Sequence, residues 1–183
     1  MRLYRQTIED FGLYPGLEMT DEQLQDLKVA AGKMSAKMRA VRIVAASSVS
    51  KSDLERRLVQ KGENPAQAKE AVAWMSEMSL LDDRSTAEQI VARCIAKGYG
   101  RARAKQTLYE KRIPKEFWDD VLQDYPEQIE KIMDFLDAHL PNGATEKDIK
   151  RVIDALIRRG HSYGTIRRAM QEMAMNPDDL PEV

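Results

Sequence analysis

Leu80–Leu108 reads LLDDRSTAEQIVARCIAKGYGRARAKQTL, and the spacing of its apolar residues decides the fold. Ala87, Ile90, Val91, Cys94 and Ile95 recur at helical intervals and make one apolar stripe. Ser85 and Glu88 stand three apart, the spacing of a capping box, which predicts that the helix starts there. Gly98 is placed to end that helix in the left-handed conformation, and Gly100 is expected to free the backbone for a tight corner before a second helix. Arg93, Lys97, Arg101, Arg103 and Lys105 gather around the corner, with Glu88 as the one acidic residue set against them there.

Outward from this stretch the pattern repeats. Thr20 and Gln23 have capping-box spacing ahead of Leu24 and Leu27, and Gly32 is expected to weaken or break the helix that follows. A further helical pattern runs from Met34 to Ala46. Ser50 is placed as the cap of a helix that buries Leu54 and Leu58 and closes at Lys61-Gly62, and Pro65 opens another through Ala68, Val72 and Met75. An offset of 50 places Leu54 and Leu58 on Ala104 and Leu108, and an offset of 62 carries those positions to Ile166 and Met170. The phrase Lys97-Gly98-Tyr99-Gly100 returns as Arg159-Gly160-His161-Ser162, so a second basic corner carries Arg158, Arg159, Arg167 and Arg168. Tyr99 and Tyr163 sit in or beside the two corners, where they could stack on a base or simply close a helix–helix bend.

The expected fold is all-α: tandem three-helix repeats stacked into an elongated, curved, right-handed or solenoid-like body, because a unit of roughly 45 residues buries too little apolar surface alone. The domain boundaries read as an N-terminal segment with a short helix (1–33), a first repeat (34–81), a second repeat (82–125), an acidic joining helix with a third repeat (126–175) and a disordered Pro- and Asp-rich tail (176–183).

A composition of 43% apolar, 32% charged and 6% aromatic residues suits charged-surfaced helices better than a sheet. The formal net charge of −1 provides no global attraction to nucleic acid, so any such binding must be local. The single cysteine excludes an internal disulfide and suits a reducing compartment. With no apolar run of spanning length and no signal-peptide pattern, the expectation is a soluble, cytoplasmic, monomeric protein without membrane contact. The chain has no Gly-rich phosphate loop with Lys-Ser/Thr, no Gly-x-Ser-x-Gly and no metal-like His/Cys spacing. His139 and His161 are far apart, Cys94 lies on the apolar stripe, and Asp82-Asp83 is read as a helix cap rather than a metal pair. The sequence therefore predicts a protein that is not an enzyme and needs no cofactor or metal.

With repeats and corners identified, the chain resembles the RecX family of bacterial regulators of the recombinase RecA. The matching residues are Lys51-Ser52-Asp53-Leu54-Glu55-Arg56-Arg57-Leu58 with Lys61-Gly62, Leu80-Leu81-Asp82-Asp83, Gly98-Tyr99-Gly100, Lys111, and Arg158-Arg159-Gly160-His161-Ser162-Tyr163 with Ile166-Arg167-Arg168-Ala169. In order, they cover about residues 20 to 172. The chain departs from the family pattern at Arg84–Ala87 and His161, where an aromatic is usual, at Arg101, where Pro is, and at Glu63, where an apolar residue is. The resemblance implies binding to the groove of the RecA–single-stranded DNA filament, with DNA met through the filament, and suppression of recombinase activity. The site residues it suggests are Arg93, Lys97, Tyr99, Arg101, Arg103, Lys105, Arg158, Arg159, Tyr163, Arg167 and Arg168. The residues themselves also admit a non-specific DNA-binding module or a helical protein-interaction scaffold.

Overall fold

The computed structural model describes residues 3–141 and 143–173, and the tail at 176–183, expected to be disordered, lies outside them. Every regular element among the described residues is helical, and the chain divides into two compact units between Thr86 and Ala87.

The first unit contains α1 (Arg5–Asp10), α2 (Asp21–Ala46), α3 (Lys51–Gln60) and α4 (Pro65–Glu77). Thr20 and Gln23 form the expected capping box at the start of α2. Of the two outcomes expected at Gly32, weakening or breaking the helix, the break does not occur, and α2 runs unbroken for 26 residues. Gly32 serves the packing instead: a Cβ there would lie 2.4 Å from Gln67 Oε1, and Gln67 Nε2 donates to the Val29 carbonyl at 3.3 Å. The lost helix propensity of about 1 kcal/mol thus gives α4 its close approach.

Ser50 caps α3, its hydroxyl accepting from Asp53 N–H at 3.1 Å. Asp53 is buried with Arg56 Nη2 at 2.6 Å and Arg57 Nη2 at 2.9 Å. Burial pushes that carboxyl upward, but the hydrogen bonds and charge of the two arginines outweigh it and hold it below its ordinary range. The same logic accommodates Glu63, where an apolar residue was expected. Although buried, its carboxylate accepts from Arg39 Nε at 2.6 Å and Ser35 Oγ at 3.0 Å. Around these polar contacts Leu54, Leu58, Ala68, Ala71 and Met75 form the unit's core.

The next helix, α5 (Asp83–Ala96), starts two residues before Ser85, so the cap is not the Ser85–Glu88 box. The two aspartates divide the work. Asp82 accepts from Ser85 N–H at 2.8 Å, while Asp83 reaches back to accept from Lys51 N–H, also at 2.8 Å, at the start of α3.

The second unit continues with α6 (Arg101–Glu110), a 3₁₀ turn (Lys115–Phe117) running into α7 (Trp118–Leu122), then α8 (Ile129–His139), α9 (Glu146–Arg158) and α10 (Tyr163–Glu172). It holds two cores. Ala87, Ile90, Cys94, Ala104, Leu108 and Trp118 belong to one; Ile132, Leu136, Ile153, Leu156, Ile166 and Met170 belong to the other. The acidic helix read as a joiner therefore does more than connect, since Ile132 and Leu136 of α8 are fully buried in the third core.

Candidate functional site

Gly98, at φ +65°, closes α5 as expected. Gly100, expected to free the backbone for the corner, has an ordinary φ of −75° and caps α6. Its missing side chain answers a different need. A Cβ on Gly100 would stand 2.0 Å from the Gly160 carbonyl oxygen, and one on Gly160 would stand 2.2 Å from Arg103 N. The two corners recognised as repeats of one another are docked together, backbone against backbone.

Four hydrogen bonds join them. Gly100 N–H donates to the Arg159 carbonyl at 2.9 Å and Ala102 N–H to the Gly160 carbonyl at 3.2 Å. Arg159 Nη2 donates to the Lys97 carbonyl at 2.9 Å, and His161 Nε2 donates to the Gly98 carbonyl at 3.0 Å. Two N–H groups from the orphaned first turn of α6 are satisfied by the other corner. Tyr99 is braced from the side, its carbonyl accepting from Tyr125 Oη at 2.7 Å and Gln128 Nε2 at 2.9 Å. Sequence reading missed both braces, because neither residue belongs to the repeated phrase.

The docking sorts the candidate residues. The Arg159 guanidinium lies 5.1 Å from the Tyr99 ring centre and 5.0 Å from that of Phe135, so both Arg159 and Tyr99 are engaged within the joint. Tyr163, half-buried, packs on the third core. Arg103 is half-buried with Nη1 3.5 Å from Glu110 Oε1, and Arg168 pairs with Glu127. Arg93, Lys97, Arg101, Lys105, Arg158 and Arg167 are exposed.

Beside the joint opens a cleft of about 440 Å³ lined by Arg101, Lys105, Glu127, His161, Ser162 and Thr165, among others. Arg101 is steadied there by a 3.3 Å hydrogen bond from Nε to the Leu122 carbonyl. The starts of α6 and α10 both border the cleft, so two helix N-termini and two cations face one opening. Arg158 is not among them. It lines a separate hollow with Lys147, Lys150, Arg151, Asp148 and Asp154. Asp148 there sits 3.7 Å from Arg151, and its carboxyl is held below the ordinary range first by hydrogen bonds from Thr145. Among the described residues no group of His, Cys, Asp and Glu is arranged to hold a metal ion, and no helix is long and apolar enough to cross a membrane.

The family model for the second three-helix domain of RecX matches residues 82–122, which span α5, α6, the 3₁₀ turn and α7. A protein named regulatory protein RecX from Chlorobaculum tepidum is 29% identical over 142 residues, covering 76% of this chain and 88% of the relative. Its counterpart in Trichlorobacter lovleyi is 27% identical over 143 residues, covering 74% and 93%. The chain is similar to proteins of the RecX family. The fold agrees: a crystal structure of RecX from Lactobacillus salivarius superposes with a TM-score of 0.66 over 79% of this chain and 98% of that one, at 18% identity. Both relatives are named as regulatory proteins.

Two more departures from the RecX pattern have physical accounts. His161, in place of an aromatic, is buried and ties one corner to the other. Thr86, within the segment where an aromatic is usual, donates its hydroxyl hydrogen to a backbone carbonyl, with those of Asp82 at 2.7 Å and Val49 at 3.3 Å both in reach.

Proposed function

We propose that this RecX-like chain restrains the recombinase RecA by binding its filament on single-stranded DNA, with the cleft at the docked corners facing the filament. The observation that supports this reading is the joint itself. Two cationic corners some sixty residues apart in sequence are held together by backbone hydrogen bonds, so Arg101 and Lys105 are presented from a fixed frame. A preset pair of cations loses little entropy on meeting phosphates or carboxylates. Arg167, exposed one turn into α10, extends the same cationic character. In this reading the protein occupies the filament groove and obstructs strand entry or the ATP-driven cycle. It performs no chemistry of its own.

The test is RecA ATPase on single-stranded DNA with the full chain added. Inhibition at micromolar concentration is expected, and Arg101→Glu/Lys105→Glu should raise the required concentration about tenfold or more. Neither side chain makes any of the four joint bonds, so the variant should stay folded. An unchanged ATPase at micromolar excess of wild-type protein refutes the reading.

A further inference from the structure

The bend between α6 and the 3₁₀ turn carries an aromatic and cationic cluster that the docked corners do not use. Tyr109 is 70% exposed, the most exposed of the large hydrophobic side chains among the described residues. It lines a hollow of about 490 Å³ with Arg112, Pro114, Lys115 and the edge of Trp118, none of which lines the cleft at the joint. Trp118 is fixed by its Nε1–H donating to the Ile113 carbonyl at 3.1 Å, so one wall of the hollow is rigid.

Comparison with the chain's own first module isolates what is unusual. At the offset of 50, Tyr109, Arg112, Lys115 and Trp118 correspond to Val59, Gly62, Pro65 and Ala68. Small or apolar residues therefore suffice for this bend, and the second module has aromatics and cations at all four positions. Gly62 takes φ +90°, and Arg112 takes φ +55° at the same place in the bend. A side chain in that region is strained, and glycine would relieve it. Arg112 is exposed and makes no ion pair among the described residues, so packing does not explain the strain.

We infer that Tyr109, Arg112 and Lys115 form a binding site for single-stranded nucleic acid, one base stacking on the Tyr109 ring and the flanking phosphates meeting Arg112 and Lys115. A bare aromatic face beside two cations matches the alternation of base and phosphate along a strand. An acidic peptide would use the cations but leave the ring face idle. Glu110 also lines the hollow, but its Oε1 lies 3.5 Å from Arg103 Nη1, which offsets its charge. This site needs no recombinase, so it stands apart from the filament reading.

The experiment is anisotropy of a fluorescein-labelled oligo-dT of about twelve nucleotides, within the usual span of single-strand sites, titrated with the full chain at low salt and without RecA. Wild type should bind. Tyr109→Ala should weaken binding about five- to tenfold, and Lys115→Gln about two- to threefold. Arg112→Gly separates binding from folding. It should weaken binding while leaving the melting temperature unchanged or raised, because glycine accepts φ +55° without strain. The inference is overturned by absent oligonucleotide binding, by Tyr109→Ala binding as wild type, or by an Arg112→Gly loss that follows a lowered melting temperature. It is also overturned if polyglutamate competes as well as oligo-dT. Binding abolished by Arg101→Glu/Lys105→Glu alone would move the contact to the cleft and overturn it too.

Discussion

His161 is 7% exposed, and its ring lies between two backbone corners that the Arg159 side chain also bridges. A carbonyl only accepts, so Nε2 carries the hydrogen shared with Gly98. Burial is the main influence on the ring and pushes its pKa below the ordinary value of 6.5; the hydrogen bond to Gly98 opposes this, and the nearby Arg159 charge adds to it. A depressed folded-state value means that the unfolded chain takes up the proton more readily. The stability tied to neutral His161 is thus complete above pH 6.5 and drains as pH falls toward the lower folded-state value. The drain cannot exceed about 1.4 kcal/mol per pH unit for one group. His161→Phe keeps a ring in the place without a titrating atom. Urea midpoints of wild type should fall between pH 7.5 and 5.5, and those of His161→Phe should fall distinctly less. Parallel curves for the two proteins would mean that the loss arises elsewhere.

Among the elements, glycines at helix ends look alike in sequence and differ in what surrounds them. Gly62, at φ +90°, has nothing within 4 Å of where a Cβ would stand, so Gly62→Ala costs only the backbone strain of about 1–2 kcal/mol. Gly100 has a permissive φ of −75°, yet its Cβ would strike the Gly160 carbonyl oxygen at 2.0 Å and His161 N at 2.4 Å. Those are backbone atoms that cannot swing aside, so Gly100→Ala should cost about 2–3 kcal/mol or more by forcing the corners apart. Thermal melts of the two variants rank them, and a milder effect at Gly100 would contradict the docking. The contrast also marks what the sequence made legible. Helix starts were readable at Thr20 and Ser50 because a cap is a local bond between residues three apart. The true role of Asp83 was not, because its partner is Lys51, 32 residues away. The use of Gly32 was not legible either, because propensity is local, whereas that use lies in the approach of Gln67 from another helix. The same limit applied to the site: the two corners were visible as repeats, but backbone-to-backbone docking leaves only a pair of glycines as its trace.

At the level of the whole molecule, 29 basic and 30 acidic residues cancel, so nothing long-range draws this protein to an anionic partner. The regulatory role proposed above then depends on holding local cations in place, and that task falls to small cores. Three clusters of roughly ten buried residues each do this work, and the second and third are linked by the corner bonds. The amides of Gly100 and Ala102 report on the linkage, since their acceptors are the carbonyls of Arg159 and Gly160 at the end of α9 rather than any group in α6. Leu156 is fully buried in the third core, and Leu156→Ala should cost about 2–5 kcal/mol. If the joint holds the cationic cleft together, hydrogen exchange at Gly100 and Ala102 should accelerate together with that of α9 and α10 in this variant. Amides in the middle of α6, around Leu108, should keep more of their protection because the second core retains its own residues. Exchange at Gly100 and Ala102 that followed Leu108 instead would mean the corners part without help from the third core, and the fixed frame proposed for Arg101 and Lys105 would fail.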